Sequence, residues 1–303
     1  QALEDVSFYV PRGAIFGLVG PHGAGKTTCL SILATLQEPD SGLVVINERI
    51  TTQHIRDTRR IMGYVPESLG LPRGLTVAEY LDYYASCIGI DRLWRHRRVE
   101  QVLEQAGLAD QRGQMIGALP PGARRRLAVA SALVHKPLVL ICDGPASGLE
   151  PGARLELTRL LQTVAQNDTT VLVSSPSFRQ MDHLCTHMGI LQRGRVLRTG
   201  TLDEILKAVR PQKTWLLQIE GDPDKLTTAL SRLDYVTRMS VSSDGLRIAL
   251  DGFLLRQREM PRGALPDEII SLVSESGASL KSVTEENPDL EKAFMDLAEG
   301  VAG

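Results

Sequence analysis

The run Gly20-Pro21-His22-Gly23-Ala24-Gly25-Lys26-Thr27-Thr28 constrains this chain more than any other segment. It satisfies the pattern Gly-x-x-x-x-Gly-Lys-Ser/Thr and lies between a strand-like stretch, Ala14 to Gly20, and a stretch of helical periodicity. Glycines at these places let the backbone fold around phosphate groups, so that several N–H groups and a helix N-terminus point at them. Lys26 supplies a point charge to the outer phosphates, and the Thr27 hydroxyl can ligate Mg²⁺. Gly20, Gly23, Ala24, Gly25, Lys26, Thr27 and Thr28 are therefore the candidate nucleotide-contacting residues. His22, inside the loop, is read as serving the turn rather than catalysis.

Such a loop needs a carboxylate at the end of a nearby apolar strand, and Leu138-Val139-Leu140-Ile141-Cys142-Asp143 supplies one. On this reading Thr27 and Asp143 hold the metal.

The surrounding pattern fits an α/β domain with a largely parallel sheet. Strand-like segments (Ala14 to Gly20, Gly42 to Ile46, Leu138 to Asp143, Thr170 to Ser174, Met188 to Gln192) alternate with helical ones. A mostly helical insert covers about 76–135 and opens with Thr76-Val77-Ala78-Glu79, a capping-box pattern. Past Gly200 the character changes, and Arg210-Pro211-Gln212 reads as a boundary. Beyond it the order is strand (Thr214 to Glu220), helix (Pro223 to Leu233), two strands (Val236 to Val241, Gly245 to Leu250), helix (Pro266 to Ser276) and strand (Leu280 to Thr284). That βαββαβ order predicts a small α+β ferredoxin-like domain, closed by an amphipathic helix from Asp289 to Leu297. The expected division is residues 1–210 and 211–303. At 303 residues the chain is long enough for two cores.

A net charge of −2 gives no electrostatic footprint for nucleic acid. The longest apolar runs fall short of the ~20 residues that cross a bilayer. Cys29, Cys87, Cys142 and Cys185 are widely spaced, which suggests neither a zinc site nor a disulfide framework and fits a reducing cytosol. The chain begins at Gln1, partway into a strand-like stretch, and shows no targeting segment.

Together these residues resemble the ABC (ATP-binding cassette) ATPases, in particular exporter and ABC-2 type subunits. The resemblance covers about 3–200. It rests on the phosphate loop, Leu3-Glu4-Asp5-Val6-Ser7-Phe8, Pro39-Asp40-Ser41-Gly42, Leu75-Thr76-Val77-Ala78-Glu79-Tyr80-Leu81 and Ser147-Gly148-Leu149-Glu150-Pro151. The βαββαβ tail is similar to an accessory domain behind many bacterial exporter-type subunits.

The same resemblance marks departures. The family's Glu after the strand Asp is Gly144 here, and its switch His is Pro176. Neither can accept a proton from water, and Glu150, the nearest acidic candidate for that role, stands where the family usually has Asp in its dimer-contacting loop, which implies an interface role. The signature segment aligns with Leu119-Pro120-Pro121-Gly122-Ala123, where the prolines remove a hydroxyl and two amide donors. Arg124, Arg125 and Arg126 read as a solvated helix face. In Tyr64-Val65-Pro66-Glu67, Pro66 stands where many members carry Gln. Residues 68–90 correspond to the surface facing the membrane subunit, and Tyr80, Tyr83 and Tyr84 suit core or contact equally. The family's adenine-stacking aromatic falls upstream of Gln1, and Phe8 and Tyr9 are too close to the loop for that role.

The resemblance implies a P-loop NTPase core with a helical subdomain that binds ATP and Mg²⁺. It implies an integral membrane permease and a second cassette, in a homo- or heterodimer, as partners, with no nucleic acid. The chain would sit peripherally on the cytoplasmic side of the cell membrane, with ATP hydrolysis weak or absent. Its rivals are an active ATPase completed by a paired subunit and an assembly module with no transport role.

Overall fold

The computed structural model describes residues 2–181, 183–209, 212–220, 223–242, 245–251 and 265–286. Two compact units emerge, 1–202 and 203–303. Arg210 and Pro211 of the expected boundary, and the expected helix from Asp289 to Leu297, lie outside the described residues.

In the first unit the chain runs β1 (Ile15–Val19), α1 (Lys26–Leu33), β2 (Val45–Ile46), β3 (Arg49–Ile50), α2 (Ile55–Arg60) and β4 (Met62–Val65). It continues through α3 (Val77–Cys87), α4 (Arg92–Gln105), α5 (Pro121–Leu133), β5 (Val139–Cys142) and α6 (Pro151–Gln166). Strands β6 (Thr170–Ser175), β7 (His187–Gln192) and β8 (Arg195–Thr201) complete it.

The six-stranded sheet has the order β4-β5-β6-β1-β7-β8, with β8 antiparallel to its neighbour and the others parallel. All residues of β1 and β6 are buried. That explains their near-continuous apolar runs, since a parallel strand covered on both faces has no solvent side to alternate with.

One strand expectation needs correction. The stretch from Gly42 to Ile46 does not join the main sheet. Only Val45 and Ile46 form a strand, paired antiparallel with Arg49 and Ile50. The sheet is instead extended by β4, four residues whose register sets Val65 beside Cys142.

Between β4 and β5, helices α3, α4 and α5 pack on one another. The capping box at the start of α3 is complete: the Glu79 N–H donates to Thr76 Oγ1 at 3.3 Å, and the Thr76 N–H donates to Glu79 Oε2 at 2.8 Å. Helix α5 begins at Pro121, a first-turn position where a missing N–H costs nothing, and is buried along almost its whole length.

The second unit contains α7 (Leu202–Val209, its first residue at the break), β9 (Gln212–Glu220), α8 (Pro223–Leu230), β10 (Val236–Ser242), β11 (Gly245–Asp251), α9 (Asp267–Glu275) and β12 (Ser279–Glu286). Its antiparallel sheet has the order β10-β11-β9-β12, which is the ferredoxin-like arrangement. Leu217, Leu226, Leu230, Tyr235, Ile248 and Ile269 are fully enclosed in a core of its own.

Candidate nucleotide site

Parallel strands in neighbouring positions end on the same side of a sheet, and ligands of open α/β sheets bind outside those carboxyl ends. Here the rule gathers four segments that are remote in sequence. Val19 pairs with Ser175, Cys142 with Val173, and Val65 with Cys142. The loop after β1, Glu67 after β4, Asp143 after β5, and Ser174 with Pro176 at the end of β6 therefore face one cavity of about 430 Å³.

The phosphate loop is held in shape by local geometry. Gly25 caps α1 with φ +101°, where a side chain would be strained, and a Cβ there would stand 2.7 Å from the Ala2 carbonyl oxygen. Ala24 is buried beneath the loop, and its carbonyl accepts the Gly194 N–H at 2.9 Å. Lys26 Nζ donates to the carbonyls of Gly20 and Pro21 at 2.7 and 2.8 Å, which carries its charge across the loop mouth. Partial burial lowers its pKa, while the carboxylates of Asp143 and Glu67 act in the opposite sense. His22, Gly23, Gly25, Thr27 and Thr28 line the cavity with Lys26.

Asp143 is buried and its orientation is fixed. Ser174 Oγ donates to its Oδ1 at 2.6 Å, and the Asp143 N–H donates to the Val65 carbonyl at 2.9 Å. An aspartate and a threonine hydroxyl are hard oxygen donors of the kind Mg²⁺ takes alongside nucleotide phosphates, and both line the cavity. The donor set fits that metal.

Gly144 and Pro176 line the cavity. Pro176 is exposed in a bend after β6. Two residues further on, a short 3-10 turn, Phe178–Gln180, returns Gln180 to the cavity, where its Oε1 accepts a hydrogen bond from Ser175 Oγ at 2.9 Å. Ser174 and Gln180 are missed by sequence reasoning because neither carries a charge or a local motif.

Three expectations are overturned or resolved. Glu150 is not the carboxylate closest to Gly144; it precedes the first turn of α6 and is exposed. A Cβ placed on Gly144 would meet Glu67 instead, with Oε1 at 3.3 Å. Nor do the three arginines form a solvated face. Arg125 is buried and donates from Nη1 to the carbonyls of Pro66 and Glu67 at 3.2 and 3.0 Å. Arg126, also buried, donates from Nε to the Ala106 carbonyl at 2.9 Å and pairs with Glu156. Phe8 stacks on Phe16 in the core, with ring centroids 5.2 Å apart, and Tyr9 is exposed.

The thiols carry no chemistry in this cavity. Cys29 and Cys142 are buried, and burial pushes both pKa values up to about 12, which keeps them protonated.

A strand, glycine loop and helix beside a strand-end aspartate define a P-loop nucleotide-binding domain. The ABC transporter family model matches residues 3–147. The Nod factor export ATP-binding protein I of Burkholderia lata is 32% identical over 206 residues, covering 68% of this chain and 68% of that protein. The linearmycin resistance ATP-binding protein LnrL of Bacillus subtilis is 26% identical across 97% of this chain and 93% of its own length. A dimeric ATP-binding cassette solved after hydrolysis with ADP and phosphate bound superimposes with a TM-score of 0.60 at 25% identity, covering 66% of this chain and 90% of that one. The chain belongs to the ABC transporter ATP-binding subunits. Cassettes of this family bind ATP with Mg²⁺, pair with membrane permease subunits and dimerise.

Proposed function

We propose that this chain binds Mg-ATP through residues 20–28 with Thr27 and Asp143 on the metal, couples it to an integral membrane permease, and hydrolyses it slowly or not at all. One observation carries this reading. Gly23, Gly25, Lys26, Thr27, Thr28 and Asp143 line one cavity, while the two positions from which the family handles the attacking water are Gly144 and Pro176. General-base assistance is typically worth ~10² to 10⁴ in rate, so its weakening slows turnover without touching affinity.

The signature segment supports the same reading. Its Pro120 and Pro121 have no N–H to offer a nucleotide on a second cassette, and Pro120 leaves α5 without a side-chain cap.

Coupling to a permease is supported by the surface of α3 and α4. Tyr83 on α3 and Leu93 and Trp94 on α4 are large apolar side chains left exposed, on helices that pack against each other. No described helix is long and apolar enough to cross a membrane. Peripheral attachment at the cytoplasmic face would then run through that partner.

The test is a calorimetric titration with Mg-ATP together with phosphate release by the full chain. Binding that is lost in Lys26→Ala, with turnover well below the ~1 s⁻¹ at the low end for competent enzymes, is the expected result. Equal binding by the wild type and Lys26→Ala would defeat the site assignment. Turnover on the order of 1 s⁻¹ that depends on Lys26 would defeat the impairment.

A further inference from the structure

The turn between β7 and β8 is built onto the phosphate loop. Gln192 and Arg195 pair across it, which leaves Arg193 and Gly194 as a two-residue turn with φ +47° and +78°. The Gly194 N–H donates to the Ala24 carbonyl at 2.9 Å, and the Gly194 carbonyl accepts the Glu4 N–H at 2.7 Å. The turn is thus held from both sides, and a Cβ on Gly25 would stand 3.7 Å from Gly194 Cα. Hairpin turns with positive φ at both positions favour asparagine, aspartate or glycine, so an arginine here is kept in a conformation that disfavours its side chain.

Arg193 lines the same cavity as Lys26, Thr27 and Asp143. Its neighbour Arg195 is taken up by an ion pair with Glu4, whereas Arg193 is exposed and has no ion pair among the described residues. The sheet order says which end of the cavity it faces. Strand β5, which leads to Asp143, lies two places to one side of β1, and β7 lies on the other side. Thr27 and Asp143 mark where the metal and the outer phosphates gather. Arg193 therefore approaches from across the phosphate loop, where the nucleoside end of the nucleotide emerges.

A base is flat and is best held by a flat group. Among the described residues no phenylalanine, tyrosine or tryptophan lines the cavity. His22, a planar side chain on the wall, belongs to the phosphate turn itself. A guanidinium is planar, weakly hydrated and stacks on aromatic faces, which a lysine ammonium cannot match.

We infer that Arg193 is a base-contacting residue of the nucleotide site, its guanidinium lying against the face of the base from the turn between β7 and β8. The inference rests on the Mg-ATP reading above and deepens it at the nucleoside end. Its chemistry is recognition of the aromatic ring rather than of phosphate charge.

The experiment compares the full wild-type chain with Arg193→Ala and with Arg193→Lys, which keeps the charge and discards the plane. Calorimetry reads the affinity for Mg-ATP and for Mg-tripolyphosphate, an inorganic probe that has the phosphates and no base. Arg193→Ala is expected to weaken Mg-ATP binding about three- to thirtyfold, the range of a cation on an aromatic face, with tripolyphosphate affinity within about twofold of wild type. Retained tripolyphosphate binding also shows that the phosphate loop is intact. Arg193→Lys should stay at least about threefold weaker than wild type for Mg-ATP.

Three results overturn the assignment while leaving the Mg-ATP reading in place: Mg-ATP affinity unchanged in Arg193→Ala, an equal proportional loss for Mg-ATP and tripolyphosphate, or full recovery in Arg193→Lys. The last two would make Arg193 a phosphate contact. A wild-type chain that binds no Mg-ATP overturns both readings.

Discussion

The Ser174 hydroxyl donates to Asp143 Oδ1 at 2.6 Å while accepting the Gly144 N–H at 2.8 Å. One buried hydroxyl thus ties together the candidate metal ligand and the residue after it, from the neighbouring strand. Ser174→Ala leaves a buried carboxylate oxygen and an N–H with one partner fewer, at a cost of roughly 1–3 kcal/mol. Urea unfolding should show that loss in the first unit, and calorimetry should show weaker Mg-ATP binding. A variant with wild-type stability and affinity would mean that the aspartate needs no such restraint.

What was legible in the sequence was what is local in it. The loop from Gly20 to Thr28 and the aspartate ending an apolar strand are contiguous patterns, and both appear where the spacing predicts. The βαββαβ order was legible for a similar reason, because apolar periodicity changes at each boundary between Gln212 and Glu286.

Glu67 was not legible as part of the site, because its proximity to Gly144 follows from β4 lying beside β5, a pairing between distant segments. The β4 strand itself is four residues with a glycine inside, too short to show a period. The buried arginines were misread because charge alone says solvent. Their burial depends on carbonyl acceptors at Pro66, Glu67 and Ala106 that only the fold brings near.

His135 gives the first unit a pH dependence whose sign can be worked out. Burial lowers its pKa below the ordinary 6.5; the ring's bond to the Met62 carbonyl at 2.9 Å opposes this and the charge of Arg98 reinforces it. The unfolded chain therefore binds the proton more readily than the folded one. The contribution of this group to stability is complete above pH 6.5 and is lost as pH falls from there through the folded-state value. Urea midpoints between pH 7.5 and 5.5, pH values chosen about one unit either side of the ordinary histidine value, should fall less in His135→Gln than in wild type. Parallel declines would remove His135 as the cause.

The ferredoxin-like unit has its own core, so damage there should stay there. Leu217 is fully buried in β9, and Leu217→Ala should cost about 2–5 kcal/mol in that unit. We expect Mg-ATP affinity to be unchanged, because every cavity-lining residue lies in the first unit. A variant that loses nucleotide binding while its first unit remains folded by limited proteolysis would make the second unit part of the site.

Restoring the family's glutamate should not restore hydrolysis. Gly144 has φ +52°, a left-handed conformation that costs a residue with a side chain roughly 1–2 kcal/mol. Its new Cβ would stand 3.3 Å from Glu67 Oε1, so the added carboxylate must share or contest a space that another carboxylate occupies. Two like charges side by side raise the cost of keeping both ionised. Pro176 and the paired Pro120 and Pro121 would remain, and groups that act as a unit recover little when one is replaced. Gly144→Glu is therefore expected to unfold at lower urea than wild type, with phosphate release no faster. A tenfold or greater gain in turnover from this single change would show that the glycine alone limits the chemistry and that Glu67 leaves room for a second carboxylate.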